Sequence, residues 1–307
     1  TASVAFRPLA AGARVDVIAP AGRAPVERVD RGLMALREAG WQPHWREPPA
    51  GPRHYLAGAD SERALGLAAS VQHGDAVWMV RGGFGTARTL EGLGDGWRSV
   101  VERVRERRTP VIGFSDGTAL LNALVQASGV PAIHGAVVTQ FGELSPEARA
   151  ATIAVLTGAP AELPLTGARV LKAGRAEGPI YGGNLAVLAS LVGTRWMPAL
   201  GGALVLLEDV GEPAYRVDRA LSQLRASGAF EGVAGFLLGH FSGVADGDRA
   251  ALEDVLAELG EETAGPVIAG LPVGHELDNS PIVLGVTVRV EATDTVISAS
   301  YLGPVAG

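Results

Sequence analysis

The sequence predicts an α/β protein in two parts: a first domain on a parallel sheet, and a smaller second domain of mixed, barrel-like β structure. Three observations predict it. Apolar runs at 15–19, 76–80 and 111–114 each lead into a glycine-bearing loop, with helix-patterned stretches between them. The texture breaks between about Gly142 and Gly178 into proline and glycine punctuation. The remainder is richer in strands and closes on an alternating pattern.

Val15 to Ala19 reads as a buried strand, followed by the turn Pro20-Ala21-Gly22 and an amphipathic helix from about Pro25 to Ala39 that ends at Gly40. Ala76 to Val80 repeats the pattern and runs into Arg81-Gly82-Gly83-Phe84-Gly85-Thr86. Val111 to Phe114 repeats it again and runs into Ser115. If these strands are parallel neighbours, their loops meet at the carboxyl edge of one sheet, where open α/β sheets place ligands. We divide the chain into a first domain at 1–145, a connecting segment at 146–177 with one short helix around Pro146 to Leu156, and a second domain at 178–307. In the second domain, strands are expected at Gly202 to Leu207, Val233 to Leu238, Ile282 to Glu291 and Thr295 to Tyr301, the last two as an antiparallel hairpin. Helices are expected at about Tyr215 to Ser227 and Asp248 to Leu259. No internal repeat or low-complexity tract is visible.

With 307 residues, 47% of them hydrophobic, the chain can bury a large core. A net charge of −7 argues against nucleic-acid and anionic-membrane partners and favours small molecules. The absence of cysteine excludes disulfides, thiolate metal sites and a cysteine nucleophile, and fits a reducing compartment. No signal peptide is visible, and apolar stretches such as Ala203 to Leu207 fall far short of the ~20 residues of a membrane span.

Gly113-Phe114-Ser115-Asp116-Gly117, between the apolar Pro110-Val111-Ile112 and the helical Thr118 to Leu124, has the strand, sharp turn and helix setting of a nucleophile elbow. The turn that lifts Oγ out of the backbone leaves little room for side chains two residues to either side, which suits Gly113 and Gly117. A helix beginning at Ser115 would aim free N–H groups, that of Asp116 among them, at an oxyanion. A glycine-rich βα turn with a capping serine fits the same residues. A serine nucleophile needs a base and a carboxylate to hold it. His44, His54 and His73 read as surface residues, which leaves His134, His240 and His275 at the ends of apolar runs. Glu208 ends Leu204-Val205-Leu206-Leu207 on the face of Leu204 and Leu206, where a carboxylate requires a partner. That partner could be an imidazolium, or Arg216 or Arg219 could pair with Glu208 or Asp209. The Arg81 to Gly85 loop suits an oxyanion hole or a phosphate cradle. It lacks the Gly-Lys-Ser/Thr of a P-loop and the glycine spacing of a dinucleotide fingerprint.

The chain resembles the LD-carboxypeptidases of serine peptidase family S66, which also includes the microcin C7 self-immunity peptidase. The resemblance runs nearly end to end. It rests on Ala19-Pro20-Ala21-Gly22, Arg81-Gly82-Gly83-Phe84-Gly85, Gly113 to Leu120, His134-Gly135, Gly182-Gly183-Asn184-Leu185, Leu206 to Asp209, Tyr215 to Arg219, and Gly274-His275 before Gly285. Ala21 stands where serine is common in the family, and Phe84 where tyrosine is common. The resemblance implies a flavodoxin-like or Rossmann-like first domain and a Ser115, Glu208, His275 triad needing no metal or cofactor. It also implies a homodimer acting in the cytoplasm on a short peptide, a murein tetrapeptide losing its D-alanine. The amide of Asp116 and one from Gly83, Phe84 or Gly85 would bind the oxyanion, and Arg81, Asn184 and Trp196 are candidate substrate contacts. Alternatives are an immunity-type peptidase opening a peptidyl-nucleotide, with Trp196 stacked on the base; an α/β-hydrolase esterase, disfavoured by the hairpin after His275; and a binding protein in which Ser115 only caps a helix.

Overall fold

The computed structural model describes residues 4–48 and 51–307. The first half alternates strand and helix: β1 (Arg14–Ile18), α1 (Val26–Glu38), β2 (Gln42–Arg46), α2 (Asp60–His73), β3 (Ala76–Met79), α3 (Thr86–Leu93), α4 (Gly96–Arg107), β4 (Val111–Gly113), α5 (Thr118–Ser128), β5 (Ala132–His134), α6 (Val138–Phe141) and α7 (Pro146–Leu156). The second half runs β6 (Arg169–Lys172), β7 (Gly174–Asn184), α8 (Leu185–Ser190), β8 (Leu204–Val210), α9 (Ala214–Ala226), β9 (Gly235–Ser242), α10 (Arg249–Ala257), β10 (Val267–Ala269), β11 (Ile282–Leu284), β12 (Thr287–Ala292) and β13 (Ile297–Tyr301).

Strands β1, β3 and β4 are buried along almost their whole length, as parallel strands covered on both faces must be. They sit in a parallel sheet of order β2-β1-β3-β4-β5, the flavodoxin-like order, whose topological switch point lies between β1 and β3. The second sheet runs β13-β12-β7-β8-β9-β10-β6. Four parallel strands, β7 to β10, occupy its middle, and antiparallel strands flank them to give the expected mixed, barrel-like domain.

The expected single strand from Ile282 to Glu291 is in fact two. Gly285, at φ +86°, turns the chain, so β11 joins the first sheet beside β5 while β12 pairs with β7 and β13 in the second. Its amide donates to Ile180 O at 2.8 Å. The stretch read as a connection holds α7, then β6 at the edge of the second sheet, then the first residues of β7.

The alternation expected in β8 sorts its side chains between two cores. Leu204 and Leu206 join the cluster that runs through the first domain. Val205 and Leu207 join the cluster beneath α8, α9 and α10. Glu208 continues the first set, on the side where the halves meet. Asn122 of α5 ties the halves there, accepting from Gly182 N and donating to Gly182 O, both at 2.9 Å. Among the described residues no helix is long and apolar enough to cross a membrane.

Candidate active site

Two residues beyond β4, Ser115 takes a left-handed conformation, φ +59°, and opens a single 3₁₀ turn, Ser115–Gly117, before α5. A β-carbon in that region is strained, and such strain persists only where the surroundings enforce it. Here the surroundings are tight: a Cβ added at Gly113 or at Gly117 would lie 2.5 Å from Met79 Sδ on the neighbouring strand. Both glycines of the motif thus lie against the Met79 side chain, which would have to move to admit a larger residue at either position. Ser115 is half-buried and its Oγ hydrogen-bonds no other described residue.

The loop after β3 lies over the hydroxyl. The residue in contact is Gly82: a Cβ there would come within 2.9 Å of Ser115 Cβ and Oγ and 3.4 Å of the Asp116 amide nitrogen. Gly83 faces Gly22, Phe84 is half exposed, and Gly85 packs on Arg63 and Leu56. Asp116 contributes more than its amide. Its carboxylate accepts the Thr86 amide at 2.7 Å, capping α3 and clamping the glycine loop onto the serine turn. Burial pushes the Asp116 carboxyl up from its ordinary pKa, against the Thr86 hydrogen bond.

Arg63, which the sequence reading missed, is the buried buttress of this corner. Its guanidinium donates to Pro20 O at 2.6 Å, Gly85 O at 2.7 Å and Thr89 Oγ1 at 2.6 Å, and pairs with Asp60. It thereby joins the loops after β1 and β3 to α2 and α3. Nothing in its surroundings in the sequence sets it apart from a surface helix arginine.

Of the three candidate histidines, His275 is the one hydrogen-bonded to a buried carboxylate. Its Nδ1 lies 2.8 Å from Oε2 of Glu208, which is fully buried at the end of the apolar strand β8. Bare glycines make room for the pair: a Cβ at Gly274 would sit 3.0 Å from Glu208 Oε2, and one at Gly239 would sit 3.1 Å from Glu208 Cβ. The imidazole packs on Phe114, the residue before Ser115, with ring centroids 4.7 Å apart. The histidine loop is fixed from both halves. Asn279 accepts from Gly274 N at 2.9 Å and donates to Gln140 Oε1 at 2.9 Å, while Gln140 Nε2 donates to Glu276 O at 3.0 Å. Gln140, in the four-residue α6, and Asn279, in a loop, also escaped the sequence reading, since neither stretch is long enough to carry a periodic signal.

The alternative ion pairs for Glu208 and Asp209 do not form. Arg216 faces Glu212, Arg219 lies over Tyr215, and Asp209 accepts from Asn184 Nδ2 and the Ala186 amide. Asn184 is buried, and its side-chain oxygen caps α8 at Val187 N, so both ends of its amide are engaged within the protein. Trp196 is likewise buried: it stands edge-on to Trp97 at 5.1 Å and donates to Glu91. Arg81 is exposed and donates to Arg23 O at 2.6 Å. His240 lies 3.6 Å from Asp278.

His134 is fully buried on β5, opposite Gly113, and neither ring nitrogen has a hydrogen-bond partner among the described residues. Burial lowers its pKa to about 4, with the Glu208 charge opposing and the His275 charge adding to the shift. Between pH 6.5 and about 4 the unfolded chain therefore binds a proton that the folded chain does not, so stability is full above pH 6.5 and falls as the pH drops to about 4. The loss from this group is about 3 kcal/mol, the size of the shift at 1.36 kcal/mol per unit. Urea denaturation across this range is expected to show a shallower decline in His134→Asn than in wild type. Equal slopes would remove His134 as the cause.

Comparison with known proteins places the chain in a family. The model of the LD-carboxypeptidase N-terminal domain matches residues 15–135, and that of the C-terminal domain matches residues 177–290. The chain belongs to the LD-carboxypeptidase family, peptidase family S66. It is 35% identical over 293 residues to the murein tetrapeptide carboxypeptidase of Pseudomonas aeruginosa, covering 91% of this chain and 93% of that one. Among solved structures, muramoyltetrapeptide carboxypeptidase from Oxalobacter formigenes superposes with TM-score 0.79 at 26% identity, covering 96% of this chain and 100% of that one. The microcin C7 self-immunity protein MccF, in complex with aspartyl sulfamoyl adenosine, shares the fold with TM-score 0.86 at 21% identity, covering 99% and 100%.

Proposed function

We propose that the protein is a serine carboxypeptidase that hydrolyses the bond between an L-centre and a terminal D-amino acid, releasing D-alanine from murein tetrapeptide. The pairing of His275 with a fully buried Glu208, 67 residues away in sequence, with the imidazole packed against the residue preceding Ser115, carries this reading. Ser115 Oγ attacks the scissile carbonyl while His275 Nε2 takes its proton, and Glu208 holds Nδ1–H and balances the imidazolium. Collapse of the tetrahedral intermediate breaks the C–N bond, His275 returns the proton to the leaving amine, and water then releases the acyl group by the same route. The Asp116 amide and an amide of the loop from Gly83 to Gly85 stabilise the oxyanion, with Gly82 leaving the approach open.

Likeness to the P. aeruginosa enzyme supports a murein peptide as substrate, and the family resemblance supports a homodimer working in the cytoplasm. The peptidyl-nucleotide reading looked to Trp196 as a stacking platform, but that ring is packed on Trp97 and tied to Glu91. Mass spectrometry of products from a panel of L,D-linked and L,L-linked tetrapeptides tests the assignment. Loss of the terminal residue from the L,D members alone is expected; equal cleavage of both sets, or of neither, rejects it.

A further inference from the structure

A hollow of about 280 Å³ opens beside the serine turn, at the switch point between β1 and β3. Gly22 and Arg23 enter it from the loop after β1, Arg81 and Gly83 from the loop after β3, and His54 and Tyr55 from the segment before α2. Backbone hydrogen bonds lace the three segments together: Gly22 N to Gly82 O at 3.0 Å, and Arg23 N to Tyr55 O at 3.1 Å. The floor is bare backbone. A Cβ at Gly22 would press to 3.0 Å from Gly82 O, and Gly83 sits at φ +97°.

Two cations in this hollow are unneutralised. Among the described residues Arg23 and Arg81 have no carboxylate partner, whereas Arg88, next to Tyr55, is paired with Asp60 at 2.8 Å. Tyr55 and Phe84 stand more than half and about half exposed, their rings 6.2 Å apart, on the same rim. His54 adopts φ +56°, a left-handed conformation rare outside glycine and common where ligands are held. Gly82, in contact with Ser115, immediately precedes Gly83 of the hollow, so the same loop touches both the hydroxyl and the hollow.

We infer that this hollow is the anion subsite for the leaving residue: Arg81 and Arg23 bind its terminal carboxylate, and its small apolar side chain rests against Tyr55 and Phe84. The inference rests on the peptidase reading and explains why such an enzyme removes only a terminal residue. A guanidinium on a carboxylate makes the charge-assisted, geometrically demanding contact that an amide end cannot match.

The test compares an L,D-linked tetrapeptide with the same peptide amidated at its C-terminus, in wild type and in Arg81→Gln, Arg23→Gln and Arg81→Lys. Wild type is expected to favour the free acid by about 30- to 100-fold in kcat/KM, the loss of one to two charge-assisted hydrogen bonds. Each Gln variant is expected to lose most of that preference through a raised KM for the free acid, while its Tm stays near wild type. Arg81→Lys should keep part of it. A wild type that cleaves acid and amide alike, or Gln variants that slow both substrates equally, overturns the subsite and leaves the peptidase reading standing. A wild type that cleaves neither overturns the peptidase reading, and the subsite falls with it.

Discussion

Ser115→Ala is expected to reduce turnover of an L,D-linked tetrapeptide by roughly 10⁴- to 10⁶-fold, the range seen when a serine nucleophile is removed from an intact triad. The fold should be untouched, because alanine keeps the same Cβ at φ +59° and Oγ gives up no hydrogen bond to any described residue. Ser115→Gly separates the two contributions further. Glycine occupies the left-handed region without steric cost but gives the unfolded chain more freedom, so this variant should be as inactive as alanine yet more stable than wild type by about 1 kcal/mol. Met79 against Gly113 and Gly117, and Arg63 beneath the glycine loop, hold the strained turn in place and are unaffected by either change. Product mass spectrometry and thermal unfolding check the pair of variants. Wild-type turnover in Ser115→Ala would falsify the nucleophile assignment; a glycine variant no more stable than wild type would show that the turn stores no strain.

The parts of this architecture that could be read from sequence are those governed by burial. Strands β1, β3 and β4 are sandwiched between helices, so they are continuous apolar runs, and their glycine loops fall together because the strands are parallel neighbours. The alternation of β8 placed Glu208 on the correct face for the same reason. What escaped is governed by tertiary neighbours. Strand β2 is an edge strand with exposed Gln42 and His44 and a proline between them, and so has no apolar pattern. Strand β7 carries Gly182 and Gly183 at positive φ, where a Cβ on Gly182 would lie 2.3 Å from Leu206 O. Those glycines mark a close approach of backbone that reads in sequence as a turn. The histidines show the limit most plainly. His134, His240 and His275 share a local pattern, and only the family resemblance, then the geometry, singled out the one on Glu208. The loop glycine in contact with Ser115 proved to be Gly82, one before those favoured from sequence, because a loop's curvature is not written in its composition.

Glu208→Gln is expected to lower kcat by about 10⁴-fold, as amide replacement of the buried acid does in the serine protease triad. Two orientations are open to the glutamine, and both fail. With its N–H2 toward His275 Nδ1, it fixes the tautomer protonated on Nε2, which cannot accept the serine proton. With its oxygen toward Nδ1, the tautomer is right, but the N–H2 occupies the place of Oε1, a buried atom with no partner among the described residues. An unmet buried donor costs about 1–3 kcal/mol. In neither case does a negative charge remain to balance the imidazolium that forms as the serine proton moves. The double variant Ser115→Ala/Glu208→Gln should be no slower than Ser115→Ala alone, because a positioned base without a nucleophile has nothing to activate. Steady-state kinetics on the four proteins decide the matter: a Glu208→Gln enzyme within tenfold of wild type, or losses that multiply in the double variant, would mean that the acid and the serine act independently.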